Sequence, residues 1–498
     1  MALFNTFKTR TDGGDGSLAG IVDLELSEIN GQWYLFAGSG PTYDVTSFRV
    51  WDTGKLDFRD TLFFKHNSGT FGLKDLEIVE AHGTSLFIPA GAYDNGFNLH
   101  SLTGNAQFDR VETSSTTLAG TAVTSSITFG NKAFAFFAQT STPGFSTYEI
   151  DTNLDLNYRG AQSDTDQTHI GDVTAMATAS AYNKNFLFVA SGFDSGITSY
   201  TVNSLGETIE RQSVGPESGL GINAPTDLAT LMVGEDLYLF MTASQTDSLT
   251  AFKISTFGRM RIMDTVTDDG ARAMQDASAV ETISVQGRSF VFVGGGEGGI
   301  SAFEVLPLTS KFKFLGTLQD SEDLAMASVT DIEAARIGGT VHLYVSSAVD
   351  EGITHLSFDP GPLSAPILGG NFSDALAGTP NNDLIMGLNR NDVLSGGAGD
   401  DRLVDGRGVD TLIGGAGADV FTFVSDGMAD IIEDFTPGVD RIDMSENTML
   451  YSMAGLEFVQ KSWGVLIIDG RDRIKVLDNI YEDDIAVSDF SEADFLFV

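Results

Sequence analysis

The chain has 498 residues, a formal net charge of −41, 42% hydrophobic and 10% aromatic residues, and no cysteine. That length exceeds one ordinary core and implies two domains, and the apolar content is that of a globular protein, so the acidity does not signal disorder. So negative a surface repels nucleic acid and anionic lipid and suits bound cations, while the lack of cysteine excludes a disulfide scaffold and a thiolate zinc site.

The opening residues 1–8 lack the basic region and apolar stretch of a secretory signal peptide. No segment approaches the ~20 apolar residues of a membrane span, so no transmembrane segment is expected. Taken alone, these features describe a soluble cytoplasmic protein. The repeats further along overturn that expectation.

Seven dense β-runs recur through the first part of the chain, among them Trp33-Tyr34-Leu35-Phe36, Phe186-Leu187-Phe188-Val189 and Val341-His342-Leu343-Tyr344. Each is followed by a small residue (Ala37, Ala90, Ala138, Ala190, Thr242, Gly294, Ser346), 48 to 53 residues from the next. Downstream of each comes a second run with strict apolar alternation, such as Ile197-Thr198-Ser199-Tyr200-Thr201-Val202, which is the period of a strand with one buried face. Shorter runs flank the pair, such as Asp23-Leu24-Glu25-Leu26 upstream and Lys311-Phe312-Lys313-Phe314-Leu315 downstream. Four short strands per repeat describe a β-propeller blade, so the expected fold is all-β, with a seven-bladed propeller over residues 1–360. The last unit has three clear strands before Pro360-Gly361-Pro362, and residues 2–8 read like its missing fourth, which predicts closure of the ring by the N-terminus. The blade pattern resembles the seven-bladed lactonase-like propellers. Neither the Gly-Gly doublets of kelch nor the Trp-Asp pairs of WD40 recur.

The innermost strands carry Asp23, Asp75, Asp227 and Asp331 near their starts, with Glu25, Glu77 and Glu333 two residues later. These carboxylates form an acidic channel mouth for a metal or cationic ligand, or they accept backbone hydrogen bonds between blades. The six histidines (His66, His82, His100, His169, His342, His355) form no metal-binding or catalytic pair in sequence, and His342 and His355 sit at strand positions as packed or surface residues. No nucleophile elbow and no phosphate-binding loop is present.

Residues 361–368 read as a linker, because proline removes a ladder donor. From Gly369 a nine-residue period begins, and residues 369–498 form the second domain. Its sixth position is Asp374, Asp383, Asp392, Asp401, Asp410 and Asp419. Its eighth is Leu376, Ile385, Leu394, Leu403, Leu412 and Phe421. Two units are ideal, with Gly396, Ala398, Asp400 and Asp401 in one and Gly414, Ala416 and Asp419 in the other. Glycines free the backbone to turn carbonyls toward a cation, the aspartates supply hard oxygens, and the apolar residue points inward from a short strand. The period resembles the glycine-rich nonapeptide of RTX (repeats-in-toxin) proteins. That resemblance implies a parallel β-roll with two units per turn and several calcium ions bound between loops two units apart. Phe372 and Arg390 replace fourth-position glycines and Asp405 replaces a first, so a handful of ions is expected instead of a full set.

The region after the repeats, including Asp430-Ile431-Ile432-Glu433-Asp434-Phe435 and ending Asp494-Phe495-Leu496-Phe497-Val498, resembles the C-terminal part of type I secretion substrates. The resemblance implies an uncleaved C-terminal export signal, type I secretion machinery as a partner, and an extracellular or cell-surface location. Three roles remain open for the propeller: a binding, adhesion or matrix platform for an unknown extracellular, cell-surface or polymer ligand; a hydrolase, lactonase or lyase with its site in the channel; or a toxin or effector.

Overall fold

A computed structural model describes residues 3–7, 10, 18–63, 70–94, 97–115, 118, 120–218, 221–307, 311–445, 450–478 and 484–497. Ala2, Lys8, His66 and Val498 lie outside them. The described chain is all-β apart from four single-turn 3₁₀ segments, and it forms a seven-bladed propeller followed by a parallel β-roll. It divides into two compact units, residues 1–285 with 289–359, and residues 360–498 with 286–288. No helix of the described residues is long and apolar enough to cross a membrane.

Blades 1 to 6 are four-stranded antiparallel sheets in chain order, over residues 21–62, 73–115, 121–162, 173–214, 225–267 and 279–319. Blade 7 joins Val329–Ile337, Thr340–Ser347 and Ile353–Phe358 to Phe4–Thr6 from the chain's start, with Phe4 opposite Phe358 and Thr6 opposite Leu356. The second strand of each blade lies in mid-sheet and is covered on both faces by neighbouring blades. Leu35, Phe36, Phe186, Leu187 and Phe188 accordingly have no exposed surface, so these strands read as continuous apolar runs instead of alternating ones.

The first strands contact one another around the whole ring, and those of blades 7 and 1 meet. Hydroxyls tie blade to blade there. Thr174, Thr226 and Thr330 donate to the carbonyls of Pro225, Ala277 and Ile21 at 2.8, 2.7 and 2.7 Å. In blades 1, 2, 5 and 7 a register shift just before Asp23, Asp75, Asp227 and Asp331 inserts a residue and re-aims the side chains that follow.

In the roll, short parallel strands pair 18 residues apart: Ala375 with Val393 and Val393 with Thr411 in one sheet, Leu384 with Arg402 and Arg402 with Val420 in the other. The eighth-position residues Ile385, Leu394, Leu403, Leu412 and Phe421 are fully buried between the sheets. Ile367–Leu368, inside the expected linker, already pairs in parallel with Ile385 and Met386. The roll therefore starts before Gly369, because Ile367 packs on the same core. At the far end Phe495–Leu496 pairs with Ile442 and Asp443, and Phe435, Phe458, Phe490 and Phe495 pack together.

Candidate calcium rows and an acidic channel

The loops of the roll form two rows, one on each edge. Residues 387–392 and 405–410 belong to one, and 396–401 and 414–419 to the other. From Asp392 onward, each sixth-position aspartate uses one oxygen to accept the backbone N–H of the aspartate a turn earlier. Asp392 accepts from Asp374 at 2.7 Å, Asp401 from Asp383 at 2.7 Å, Asp410 from Asp392 at 2.6 Å and Asp419 from Asp401 at 2.8 Å. The ladder continues beyond the nonapeptides, with Asp430 accepting from Asp410 and Asp440 from Asp419, each at 2.9 Å.

The second oxygen is the informative one. Oδ2 of Asp392, Asp401, Asp405, Asp410 and Asp419 is buried without a hydrogen-bond partner, and these residues are at most 1% exposed. An unpaired buried carboxylate oxygen is costly, and a hard cation is the partner that suits it. A Cβ on Gly396 would lie 2.2 Å from Oδ2 of Asp401, and one on Gly414 would lie 2.4 Å from Oδ2 of Asp419. The first glycine of each unit therefore leaves open the space that this oxygen faces. Ala398 and Ala416 stand opposite each other at the ends of paired strands, and Asp400 is exposed and accepts the Ala418 N–H at 2.9 Å.

The outer aspartates differ. Oδ2 of Asp374 accepts the Gly370 N–H at 2.7 Å, and Oδ2 of Asp383 accepts the Thr379 N–H at 2.6 Å. Asp440 is likewise satisfied by Asp419 and Thr436. Arg390 and Leu388 keep the left-handed backbone of a glycine, with φ of 81° and 77°, so the third loop retains its shape without the expected residue.

Asp405, Asp410 and Asp430, all buried, bring one carboxylate oxygen each within 4.8 Å of one another, and no other such trio occurs among the described residues. Asp405 is more than a lost glycine. At the first position of other units, such as Gly387, a Cβ would strike the carbonyl two units on. The loop above Asp405 is longer, since Asp430 follows Asp410 by 20 residues, and the side chain has room. Its Oδ1 accepts the N–H of Val424 at 2.9 Å. Burial, together with the Asp430 charge, pushes Asp405 well above the usual carboxylate range. Burial and neighbouring carboxylates push Asp401 and Asp410 to about 7, and Asp419 and Asp430 to about 6. These donors and their mutual repulsion are what a divalent cation would relieve.

Residues 386–421 match the family of RTX calcium-binding nonapeptide repeats, in four copies. These are RTX repeats. RTX nonapeptides bind calcium, and a cluster of buried aspartates is present at these repeats. The matched span contains Asp392, Asp401, Asp410 and Asp419, and it leaves out the first two units.

In the propeller the four predicted aspartates come together around a cavity of about 520 Å³ whose walls include residues of all seven blades. Each also accepts a backbone N–H of the next blade: Asp23 from Leu76 at 2.5 Å, Asp75 from Thr124 at 2.5 Å, Asp227 from Val280 at 2.8 Å and Asp331 from Leu24 at 2.9 Å. The channel mouth and the inter-blade clasp are one structure. Below it lie Glu25, Glu77, Glu333 and Glu281. Glu281 escapes the Asp-x-Glu pattern because Ala279 holds the aspartate position in blade 6. Burial raises all eight carboxylates, with Glu77 reaching about 8, Asp227 about 7 and Asp75 about 6.

His342 and His355 are buried, 2.8 Å apart from Nδ1 to Nε2, and Phe7 and Tyr344 stack on His355. They are packed residues, with His355 lowered by burial to about 4.

No curated protein matches the chain in sequence. Among solved structures, the Pseudomonas aeruginosa periplasmic gluconolactonase aligns at 15% identity and TM-score 0.46, covering 64% of this chain and 93% of that one. A putative 6-phosphogluconolactonase of Bacteroides fragilis aligns at 12% identity and TM-score 0.46, covering 64% and 92%. A functionally unknown protein of Desulfotomaculum acetoxidans aligns at 11% identity and TM-score 0.47, covering 64% and 98%.

Proposed function

We propose that this is a secreted RTX protein whose roll folds around several calcium ions after export, and whose propeller serves outside the cell as a binding, adhesion or matrix platform. The observation that carries the calcium part is the set of five buried, unpartnered Oδ2 atoms in the two loop rows. At low calcium these oxygens repel one another and oppose folding. Calcium binds the folded rows, so its binding free energy becomes folding free energy. The region that resembles an export signal is packed into the folded roll through Phe490 and Phe495, so the export machinery would meet it in the unfolded chain.

Calorimetric titration of the full chain with calcium tests the site assignment. Asp405→Asn is expected to remove or weaken at least about tenfold one class of sites while the rest bind as before, because charge count sets affinity at such sites. An unchanged isotherm would discard the Asp405–Asp410–Asp430 site.

One observation favours a second reading, a hydrolase, lactonase or lyase working in the channel: carboxylates from five blades converge there with raised pKa values, the setting of a general acid. Turnover of lactones or polysaccharides that is lost in Glu77→Gln would favour it over the platform.

A further inference from the structure

A groove of about 600 Å³ opens on the propeller rim where blade 4 meets blade 5. Its walls include Glu210 and Arg211 from the outer strand of blade 4, and Lys253, Phe257, Arg259 and Arg261 from blade 5. Four of its eight wall residues are basic, in a chain with 28 lysines and arginines among 498 residues, so the clustering is far above background.

The turn that carries Arg259 recurs in blades 1 to 5, closed each time by the same backbone hydrogen bond: Trp51 to Lys55, Thr103 to Gln107, Asp151 to Asp155, Asn203 to Glu207 and Ser255 to Arg259. At the position of Arg259, blades 3 and 4 place an acid, Asp155 or Glu207, blade 2 the neutral Gln107 and blade 1 another base, Lys55. The turn accepts either sign, so its fold does not dictate the base at Arg259; what sets the groove apart is the clustering of that base with Arg211, Lys253 and Arg261.

The groove is also held in shape. Ser199 Oγ of blade 4 donates to the Gly258 carbonyl at 2.7 Å, and Gln212 Oε1 accepts the Met260 N–H at 2.8 Å. Gly258 has φ of +81°, and a Cβ there would come within 2.9 Å of the Arg211 stem. Lys253 is paired with Asp236 at 2.5 Å and Arg211 Nε donates to Thr201 Oγ1 at 2.8 Å. Arg259 and Arg261 are exposed, and among the described residues their guanidinium groups have no partner. Phe257 is 69% exposed, with Lys184 Nζ 4.7 Å from its ring centroid.

We propose that this groove binds a short segment of an anionic polysaccharide, with Arg259 and Arg261 pairing its carboxylates or sulfates and the Phe257 face packing on a sugar ring. The inference rests on reading the propeller as a binding platform, and it names that platform's ligand class and contact face. Guanidinium forks suit both anions, and the cavity has the size of a small-ligand cleft instead of the long basic stripe a nucleic acid needs. In a molecule of −41 net charge an anion is held by local cations against the overall field, and salt screens the pairing and the repulsion together, so binding must rest on the groove's own contacts.

The test is calorimetry of the full chain in saturating calcium with oligogalacturonate, dextran sulfate, neutral dextran and a single-stranded DNA oligomer. Binding of one or both charged saccharides, and no binding of dextran or DNA, are expected. Retention by the uronate or by the sulfate alone identifies the anion. The double variant Arg259→Gln/Arg261→Gln should weaken saccharide binding about tenfold or more, with the calcium-induced circular dichroism change intact. Saccharide binding that is undiminished in the double variant overturns the groove and leaves the platform standing. Failure of every polymer to bind, or tighter binding of DNA, overturns the groove together with its assigned ligand class.

Discussion

At the residue scale, the calcium rows depend on backbone freedom as much as on charge. Arg390 is exposed and sits at φ of 81°, a conformation that costs an L-residue about 1–2 kcal/mol. Arg390→Gly should therefore raise the stability of the calcium-loaded roll by about 1 kcal/mol, read as a higher urea midpoint with an unchanged slope. Titration gives a second outcome. Asp401 and Asp410 are held near 7 in the metal-free fold, whereas an unfolded aspartate ionises near about 4. Below that value both states are protonated and the fold is not penalised. As pH rises from about 4 to 7 the unfolded chain ionises while the folded carboxylates hold their protons, so stability falls across that window and levels off above it. The metal-free roll should be better ordered at pH 5 than at pH 8, and calcium should bind more tightly at pH 8 with release of protons. Metal-free order that increases with pH would contradict this. The six sixth-position aspartates were legible because period nine keeps them in register with buried apolar residues. Asp405 and Asp430 were not, since one occupies a glycine's place and the other follows a loop lengthened out of period.

At the element scale, the chain's start closes blade 7 through the strand Phe4–Thr6, with further backbone hydrogen bonds at Leu3, Phe7 and Arg10. Phe4, 9% exposed, packs on Phe358 with ring centroids 5.8 Å apart, and Phe4–Thr6 supplies the fourth strand of blade 7. Phe4→Ala should cost the propeller about 3 kcal/mol, seen as a lower melting temperature of its transition while the roll's calcium response is unaffected. Strand existence was readable from alternation and from the recurring apolar run, because mid-blade strands are covered on both faces. The contribution of Ile367–Leu368 to the roll was hidden by neighbouring prolines, which mark an irregular chain without saying where pairing resumes. The channel aspartates illustrate a different limit. Their recurrence in four blades was visible, but a sequence cannot separate a ligand-facing carboxylate from an inter-blade hydrogen bond, and here each side chain serves the clasp while lining the cavity.

At the scale of the whole molecule, the charge of −41 is distributed with a purpose. Aspartates gather in the loop rows of the roll and carboxylates in the channel, while a basic groove stands out on the rim. Hydrogen exchange of the full chain in calcium and in chelator reads the coupling of ion binding to folding directly. Calcium should strongly protect residues 386–443 and leave the mid-blade strands, such as 184–191, unchanged. Equal protection of 386–443 in chelator would mean that the roll folds without its ions, and would contradict the central claim.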